Sequence, residues 1–232
     1  KNFTSIDFSR HDYRDFSVNS LKEAAEFFAS KGYFVLRMGK LQKEQFITNN
    51  SKIIDYANSS LRSDFLDMYL LANSEFYFGS DSGLVNISFV FKRPCYGINY
   101  DSTDFYAGRW HHKWLFIFKR IKCLNTGKML TLSEIINKEF SIRFPHLFFK
   151  QHNVVPINNS SEEIKSLAVE IDKEKSGIPV LDSEDVRMQK EFWKIYSTSV
   201  NKKKSSEINH YNPTITPRIS PSFLRKNIDL LN

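Results

Sequence analysis

From Ser17 to Lys31 the apolar positions Leu21, Ala24, Ala25 and Phe28 recur at three- and four-residue intervals, which predicts an amphipathic helix. Ser20 and Glu23 have capping-box spacing at its start, and Gly32 follows as a stop. Tyr33 to Met38 is a short run of aromatic and aliphatic residues between Gly32 and Gly39, too short for a buried helix, and it reads as a buried strand. Lys52 to Tyr56 is a second strand candidate. Ser63 is placed to cap a helix over 64–73 with Phe65, Leu66, Tyr69 and Leu70 on its apolar face. Glu75 to Phe78 forms a third strand, then comes Gly79-Ser80-Asp81-Ser82-Gly83, an apolar segment from Leu84 to Phe91, and a fourth strand over 95–99 after Pro94. Helix and strand thus alternate through residues 17–100, with short connections. That order predicts an α/β fold, a Rossmann-like parallel sheet with flanking helices.

The pattern changes after residue 100. Trp114 to Phe118 reads as a strand and Ser133 to Phe140 as a short helix. Ser160-Ser161-Glu162-Glu163 opens a helix to about Lys175, stopped at Ser176-Gly177-Ile178-Pro179. Asp182 or Ser183 caps another, to about Ser199, and a polar connector from Lys202 leads to a last short helix that begins at Ser220-Pro221. The expected organisation is therefore a Rossmann-like domain over residues 1–150 and a C-terminal helical extension over 151–232. The first residue is Lys1 rather than Met, which reads as a segment of a longer or processed chain.

The stretch with most chemistry is Gly79 to Gly83. In an open α/β sheet, ligands bind beyond the carboxyl ends of the strands, and a helix N-terminus there offers free N–H groups to an anion. Gly79 and Gly83 allow close backbone approach, Ser80 and Ser82 add hydroxyls, and Asp81 suits a helix cap or a sugar hydroxyl. The same residues also make a good plain turn. Arg37, at the end of the first strand and followed by Met38-Gly39, places a planar cation toward the same crevice, or else forms a surface ion pair. Arg14, in the polar stretch Arg10-His11-Asp12-Tyr13-Arg14, is a second cation for an anionic ligand. His11 is a candidate acid or base, or a structural loop histidine.

Composition narrows the class. The chain has 232 residues, 41% hydrophobic and 25% charged, with 21 Phe, enough for a substantial core. Two cysteines, Cys95 and Cys123, exclude a disulfide scaffold and an all-Cys zinc site. His111-His112 has no third ligand at a supporting spacing, so no metal is expected. The net charge of +7 is concentrated in residues 92–128, with eight basic and two acidic side chains, and in 186–232, with nine and three. Such patches suit nucleic acid, anionic lipid or a phosphorylated small molecule. Nucleic acid is disfavoured, because zinc-finger spacing and ribonucleoprotein motifs are absent. No Gly-x-x-x-x-Gly-Lys loop or Gly-x-Ser-x-Gly elbow occurs, which argues against a nucleoside triphosphatase and an α/β-hydrolase. No apolar run approaches a membrane span.

The residues Lys31-Gly32-Tyr33-Phe34-Val35-Leu36-Arg37-Met38-Gly39, Ile54-Asp55-Tyr56, Ser63 to Asp67 and Phe78-Gly79-Ser80-Asp81-Ser82-Gly83 together resemble a group of bacterial glycosyltransferases of GT-B fold. Thr131 to Ile135, Gln189 to Trp193 and Arg218 to Leu224 fit the same group. The Asp81-Ser82-Gly83 loop also resembles the donor-binding half of the heptosyltransferases. It departs from them after the loop, where their His is replaced by the run Leu84-Val85-Asn86. The resemblance implies the C-terminal, donor-binding half of a GT-B enzyme. The acceptor half, which often supplies the catalytic base, would precede Lys1, with residues 151–232 packing back toward it.

On that basis the expected function is transfer of a sugar from a nucleotide-sugar donor to a glycan or lipid-linked acceptor of the cell envelope. Arg14, Arg37, Gly39, Ser80, Asp81, Ser82 and Gly83 would bind the donor, and Tyr56, at a strand end, would line the nucleobase site. No cofactor is expected. The setting would be cytoplasmic, with peripheral attachment to the inner face of the membrane through the basic C-terminal block. Two other readings share the crevice: a non-catalytic module for an anionic sugar, and a polysaccharide pyruvyl transferase-like enzyme.

Overall fold

The computed structural model describes residues 9–40, 43–101, 115–137, 145–178, 181–202 and 218–232. Its strands fall into two groups. β1 (Val35–Leu36) and β2 (Ile53–Ile54) form a short parallel pair, Val35 opposite Ile53. β3 (Tyr77–Gly79), β4 (Cys95–Asp101) and β5 (Leu115–Cys123) form a parallel sheet, and β7 (Arg218–Ile219) adds to the other edge of β5, also parallel. β6 (Val154–Ile157) runs antiparallel against the far half of β5, from Arg120 to Cys123. The fold is thus α/β, with a parallel sheet flanked by helices, as the alternating pattern predicts.

β5 is the middle of this arrangement, and its composition shows why. Leu115, Phe116, Ile117 and Phe118 are all fully buried, as a parallel strand covered on both faces requires. It extends well past the predicted end at Phe118. β6 and β7 lie outside the sequence expectation.

Helices close around the sheet. α1 (Lys22–Ser30) buries Ala24, Ala25, Phe28 and Ala29. It is entered through a 3₁₀ turn, Val18–Leu21, capped by Ser17, whose Oγ accepts from the Asn19 N–H. The expected Ser20–Glu23 capping box is not made, because the Ser20 hydroxyl donates to the Ser17 carbonyl instead. Gly32, at φ +97°, ends the helix as predicted. α2 (Asp64–Asn73) has its predicted cap, with Ser63 Oγ accepting from the Leu66 N–H at 3.1 Å. Its buried side is different from the expected one. Asp67 and Leu71 face inward, while Phe65 (73% exposed) and Tyr69 (54%) stack on each other outside. α2 is apolar on both sides, so spacing alone does not select a face. α3 (Gly83–Val90) follows β3 and packs on α2.

The C-terminal helices belong to the same core. α4 (Leu132–Asn137) and α5 (Pro145–Gln151) precede β6. α6 (Ser161–Lys175) carries the capping box of Ser160 with Glu163, and α7 (Ser183–Lys202) opens on the reciprocal bonds of Asp182 with Asp185. α8 (Pro221–Lys226) is capped by Ser220. Ile164 and Leu167 of α6, Phe192 of α7 and Phe223 of α8 join Phe28, Tyr96 and Phe118 in one apolar cluster. Phe223 meets Phe118 edge-on at 4.9 Å between ring centroids. The expected boundary after residue 150 falls inside α5. The described part of 186–232 packs on this chain's own sheet, because β7 and Gln189, which bonds both the N–H and the carbonyl of Ile219, tie it there.

Candidate functional site: two turns at one cavity

Among the described residues no ladder joins β1 to β3. Between them lies a cavity of about 810 Å³, lined from the β1 side by Arg37, Met38 and Gly39 and from the β3 side by Phe78, Ser80 and Ser82. Both candidate turns therefore open on one space, which runs alongside both strands, from Gly32 and Tyr33 before β1 and Ser74 and Glu75 before β3 to the two turns beyond them. The walls further in are mostly apolar, including Val35, Phe28 and Phe76.

The turn after β3 is built around Tyr77. Its ring folds over Gly79, where an added Cβ would stand 2.7 Å from the Tyr77 hydroxyl. That hydroxyl donates to the Ser80 carbonyl at 2.9 Å and lies 3.3 Å from Ser82 Oγ. Burial pushes the Tyr77 phenol up to about 12, so it remains a neutral donor. Gly79 is thus required by a close approach within the chain. Gly83 differs: an added Cβ there would meet nothing within 4 Å. Gly83 is the first residue of α3, whose N-cap, Ser82, makes no side-chain capping bond. The first N–H groups of that helix are thus free of a side-chain cap, although the Val85 N–H bonds the Ser82 carbonyl at 3.3 Å.

The turn after β1 is locked. Arg37 Nη1 donates to Asp55 Oδ1 at 3.0 Å and Nη2 to the Glu44 carbonyl at 3.2 Å, and the side chain is only 12% exposed. Burial pushes the Asp55 carboxyl up, but bonds from Asn58, the Phe46 N–H and Arg37 outweigh it and hold it below the ordinary value. Arg37 lines the cavity, yet its charge is matched by Asp55: of the two readings for this residue, the ion pair is present. Gly39 sits at φ +147°, and its carbonyl accepts from Arg62, which also binds Asp64 and Asp67.

Tyr56 stands apart from the expected nucleobase site. It belongs to a 3₁₀ turn, Tyr56–Asn58, rather than a strand end, and its phenol is buried. Its hydroxyl is held by the N–H and the carbonyl of Ser63.

A second, smaller hollow of about 10 Å³, room for about one water, lies beside the β3 turn. Arg14, Ser80, Asp81, Asn99, Asp101 and Lys119 face it. Arg14 Nη2 lies 4.0 Å from Asp81 Oδ2, and Nε donates to the Tyr13 hydroxyl at 3.1 Å. His11 is on the same 3₁₀ turn, Ser9–Arg14, its ring centroid 6.4 Å from that of Tyr13, and lines neither space. Lys119 is buried on β5 and donates to the Tyr13 and Asp15 carbonyls. Burial pushes its ammonium down to about 8, against the pull of Asp101 and Asp15. Asn99 has φ +51° at a register shift in β4 between Gly97 and Tyr100, an irregularity that turns the strand end. Asn99 and Asn159 bond each other reciprocally at 2.7 Å.

Lys119, Asp101 and Asn99 are the residues sequence reasoning missed. A charged residue directly after Leu115-Phe116-Ile117-Phe118 was the available signal for Lys119. Cys95 is buried on β4, as expected, and burial pushes its thiol up to about 12. His111 and His112 lie outside the described residues, as do Lys203 and Lys204. Among the described residues no three His, Cys, Asp or Glu side chains gather as metal ligands would, and no helix is long and apolar enough to cross a membrane.

The site is therefore a crevice between the two groups of parallel strands of an α/β protein. Compared with known families, curated proteins and solved structures, the chain matches none.

Proposed function

We propose that this chain is the donor-binding half of a nucleotide-sugar glycosyltransferase of GT-B type. The reading is carried by one observation: the Gly79–Gly83 turn, with the start of α3 free of a side-chain cap, opens beside the cavity that Arg37, Ser80 and Ser82 line. A departing nucleoside diphosphate gains negative charge in the transition state, and preorganised N–H groups and cations stabilise it. Ser80, Ser82 and the first N–H groups of α3 hold the diphosphate, with Arg14 beside them. Asp81 is placed to accept from a sugar or ribose hydroxyl. The acceptor is a glycan or lipid-linked glycan, and the basic C-terminal block favours the anionic inner face of a membrane. The reaction needs no metal in this scheme.

Calorimetric titration of the chain with a panel of nucleoside diphosphates tests the reading. Binding of one of them, weakened about tenfold or more in Ser82→Leu, is expected; a tenfold loss corresponds to about 1.4 kcal/mol. Absence of binding across the panel, or affinity unchanged in Ser82→Leu, overturns it. Release of nucleoside diphosphate in the presence of an acceptor half separates an enzyme from an anionic-sugar binding module, and consumption of phosphoenolpyruvate marks the pyruvyl transferase alternative.

A further inference from the structure

Two arginines lie near the Gly79–Gly83 turn, Arg37 on the large cavity and Arg14 at the small hollow on which Ser80 also opens, and they differ in how far they are committed. Arg37 is bonded directly to a carboxylate and a carbonyl. Arg14 is 39% exposed; Asp81 is 4.0 Å away, at the outer limit of an ion pair, and Asp101 also faces the hollow it lines. We infer that Arg14 is the cation that meets the ligand's phosphates at the Gly79–Gly83 turn, and that Lys119 is the positioning residue that holds it there. This rests on the donor-site reading above and assigns the roles within it.

The geometry is that of a clamp. Lys119 Nζ donates to the Tyr13 carbonyl at 2.6 Å and to the Asp15 carbonyl at 3.0 Å, the two residues that bracket Arg14. The clamp is anchored on β5, where Lys119 is 3% exposed and pairs in register with Asp101 of β4. Its two bonds fix the main chain on either side of Arg14 to the rigid centre of the sheet. The guanidinium is then steered by Tyr13, through the bond from Nε and by the ring, whose centroid is 5.4 Å away. Arg14 so held reaches Asp81, a member of the turn itself. An anion entering the turn competes with Asp81 for this cation.

Lys119 also contributes charge. It donates to neutral carbonyls, so its charge is offset only through space, by Asp101 and Asp15. The groups facing it are Asp101 from β4; Tyr13, Arg14 and Asp15 from the N-terminal segment; and Asp81 from the turn. Asp15 is already paired with Lys43 at 2.5 Å. Asn99, whose buried Nδ2 has no hydrogen-bond partner among the described residues, lines the same small hollow. The ammonium titrates near pH 8, so its charge is present at neutral pH and lost above.

The test is calorimetric titration of the full chain at pH 7.5 and pH 9.5, with nucleoside diphosphates and with inorganic pyrophosphate. The variants are Arg14→Ala, Lys119→Met, Lys119→Arg and the Arg14→Ala/Lys119→Met pair. Each of Arg14→Ala and Lys119→Met is expected to weaken binding about tenfold at pH 7.5, and the pair no more than either alone, since the two act as a unit. Wild-type affinity should fall between pH 7.5 and 9.5, while Lys119→Arg, which keeps its charge, stays level. Wild-type affinity in folded Arg14→Ala and Lys119→Met, with Ser82→Leu still impaired, sinks the inference and leaves the donor site standing. Pyrophosphate binding that depends on Arg14 and Lys119, with no nucleoside diphosphate bound, sinks the donor reading and keeps the clamp. No binding of either ligand sinks both. Should Lys119→Met fail to fold, Arg14→Ala and the pH response of Lys119→Arg decide.

Discussion

The turns that end β1 and β3 face one cavity from opposite sides, yet they are built on opposite plans. At β1 the polar groups are consumed by the protein: Arg37 by Asp55 and Glu44, the Gly39 carbonyl by Arg62. At β3 they are less fully used: Ser82 Oγ meets only the Tyr77 hydroxyl, at 3.3 Å, and Asp81 stands 4.0 Å from Arg14. Tyr77 fixes the backbone from beneath, while Ser82 caps nothing and Gly83 faces open space. A buried, hydrogen-bonded ion pair makes a wall; a supported turn whose helix start lacks a side-chain cap is the one proposed to receive the ligand. An arginine at a strand end is thus not evidence of an anion site until its partners are counted.

Loss of the Asp55 carboxylate should do the most damage. Asp55→Ala strands the Arg37 charge and removes the bonds from Asn58 and Phe46. A loss of about 3 kcal/mol in urea unfolding is expected, and a loss below about 1 kcal/mol would show that the pair is not structural. The Asp55 carboxyl is held below its ordinary value of 3.8. Its contribution is therefore complete above that pH and fades as pH falls through the lowered folded value. The stability gap between wild type and Asp55→Asn should close in that acid window.

Gly79→Ala comes next. The new Cβ would press on the Tyr77 ring, and overpacking of this kind costs about 1–3 kcal/mol. Tyr77→Phe, which deletes the bond to the Ser80 carbonyl, should cost about 1 kcal/mol. Smallest in stability is Gly83→Ala: nothing lies within 4 Å of the added atom, and alanine is the better helix residue. A stability change within about 0.5 kcal/mol of zero is expected there, together with several-fold weaker nucleoside diphosphate binding. Unchanged affinity would mean that ligand does not approach that backbone. Lys119 adds a basic-side test. Its folded value near 8 lies below the ordinary 10.5, so between those pH values the unfolded chain holds more protons and wild-type stability should rise with pH. Lys119→Met should lack that rise.

What could be read from the chain beforehand follows the range of the interactions. Ser63, Ser160 and Ser220 cap the helices expected of them, because a cap is settled within four residues. The β1, β3 and β4 strands lie where the apolar runs put them, although β1 keeps only Val35–Leu36. The Ser80–Ser82 turn was legible from glycine and serine chemistry alone. The partners of Arg37 were not: Asp55 lies 18 residues on, and only the β1–β2 pairing brings it near. Lys119 was less visible still, since its carbonyl acceptors lie more than 100 residues earlier in the chain. Tyr56 lies in a turn rather than at the expected strand end, its phenol bonded to Ser63, a contact that no strand pattern encodes.

The central claim, that the turn after β3 and not the one after β1 receives the anion, is tested most directly by amide NMR of the labelled chain during titration with a nucleoside diphosphate. The account predicts saturable shifts at Gly83 and Leu84, at the start of α3, and in the Arg14 side chain, with Arg37 Nε and Gly39 nearly still. Shifts confined to Arg37 and Gly39, or no saturable shift at Gly83, would contradict it.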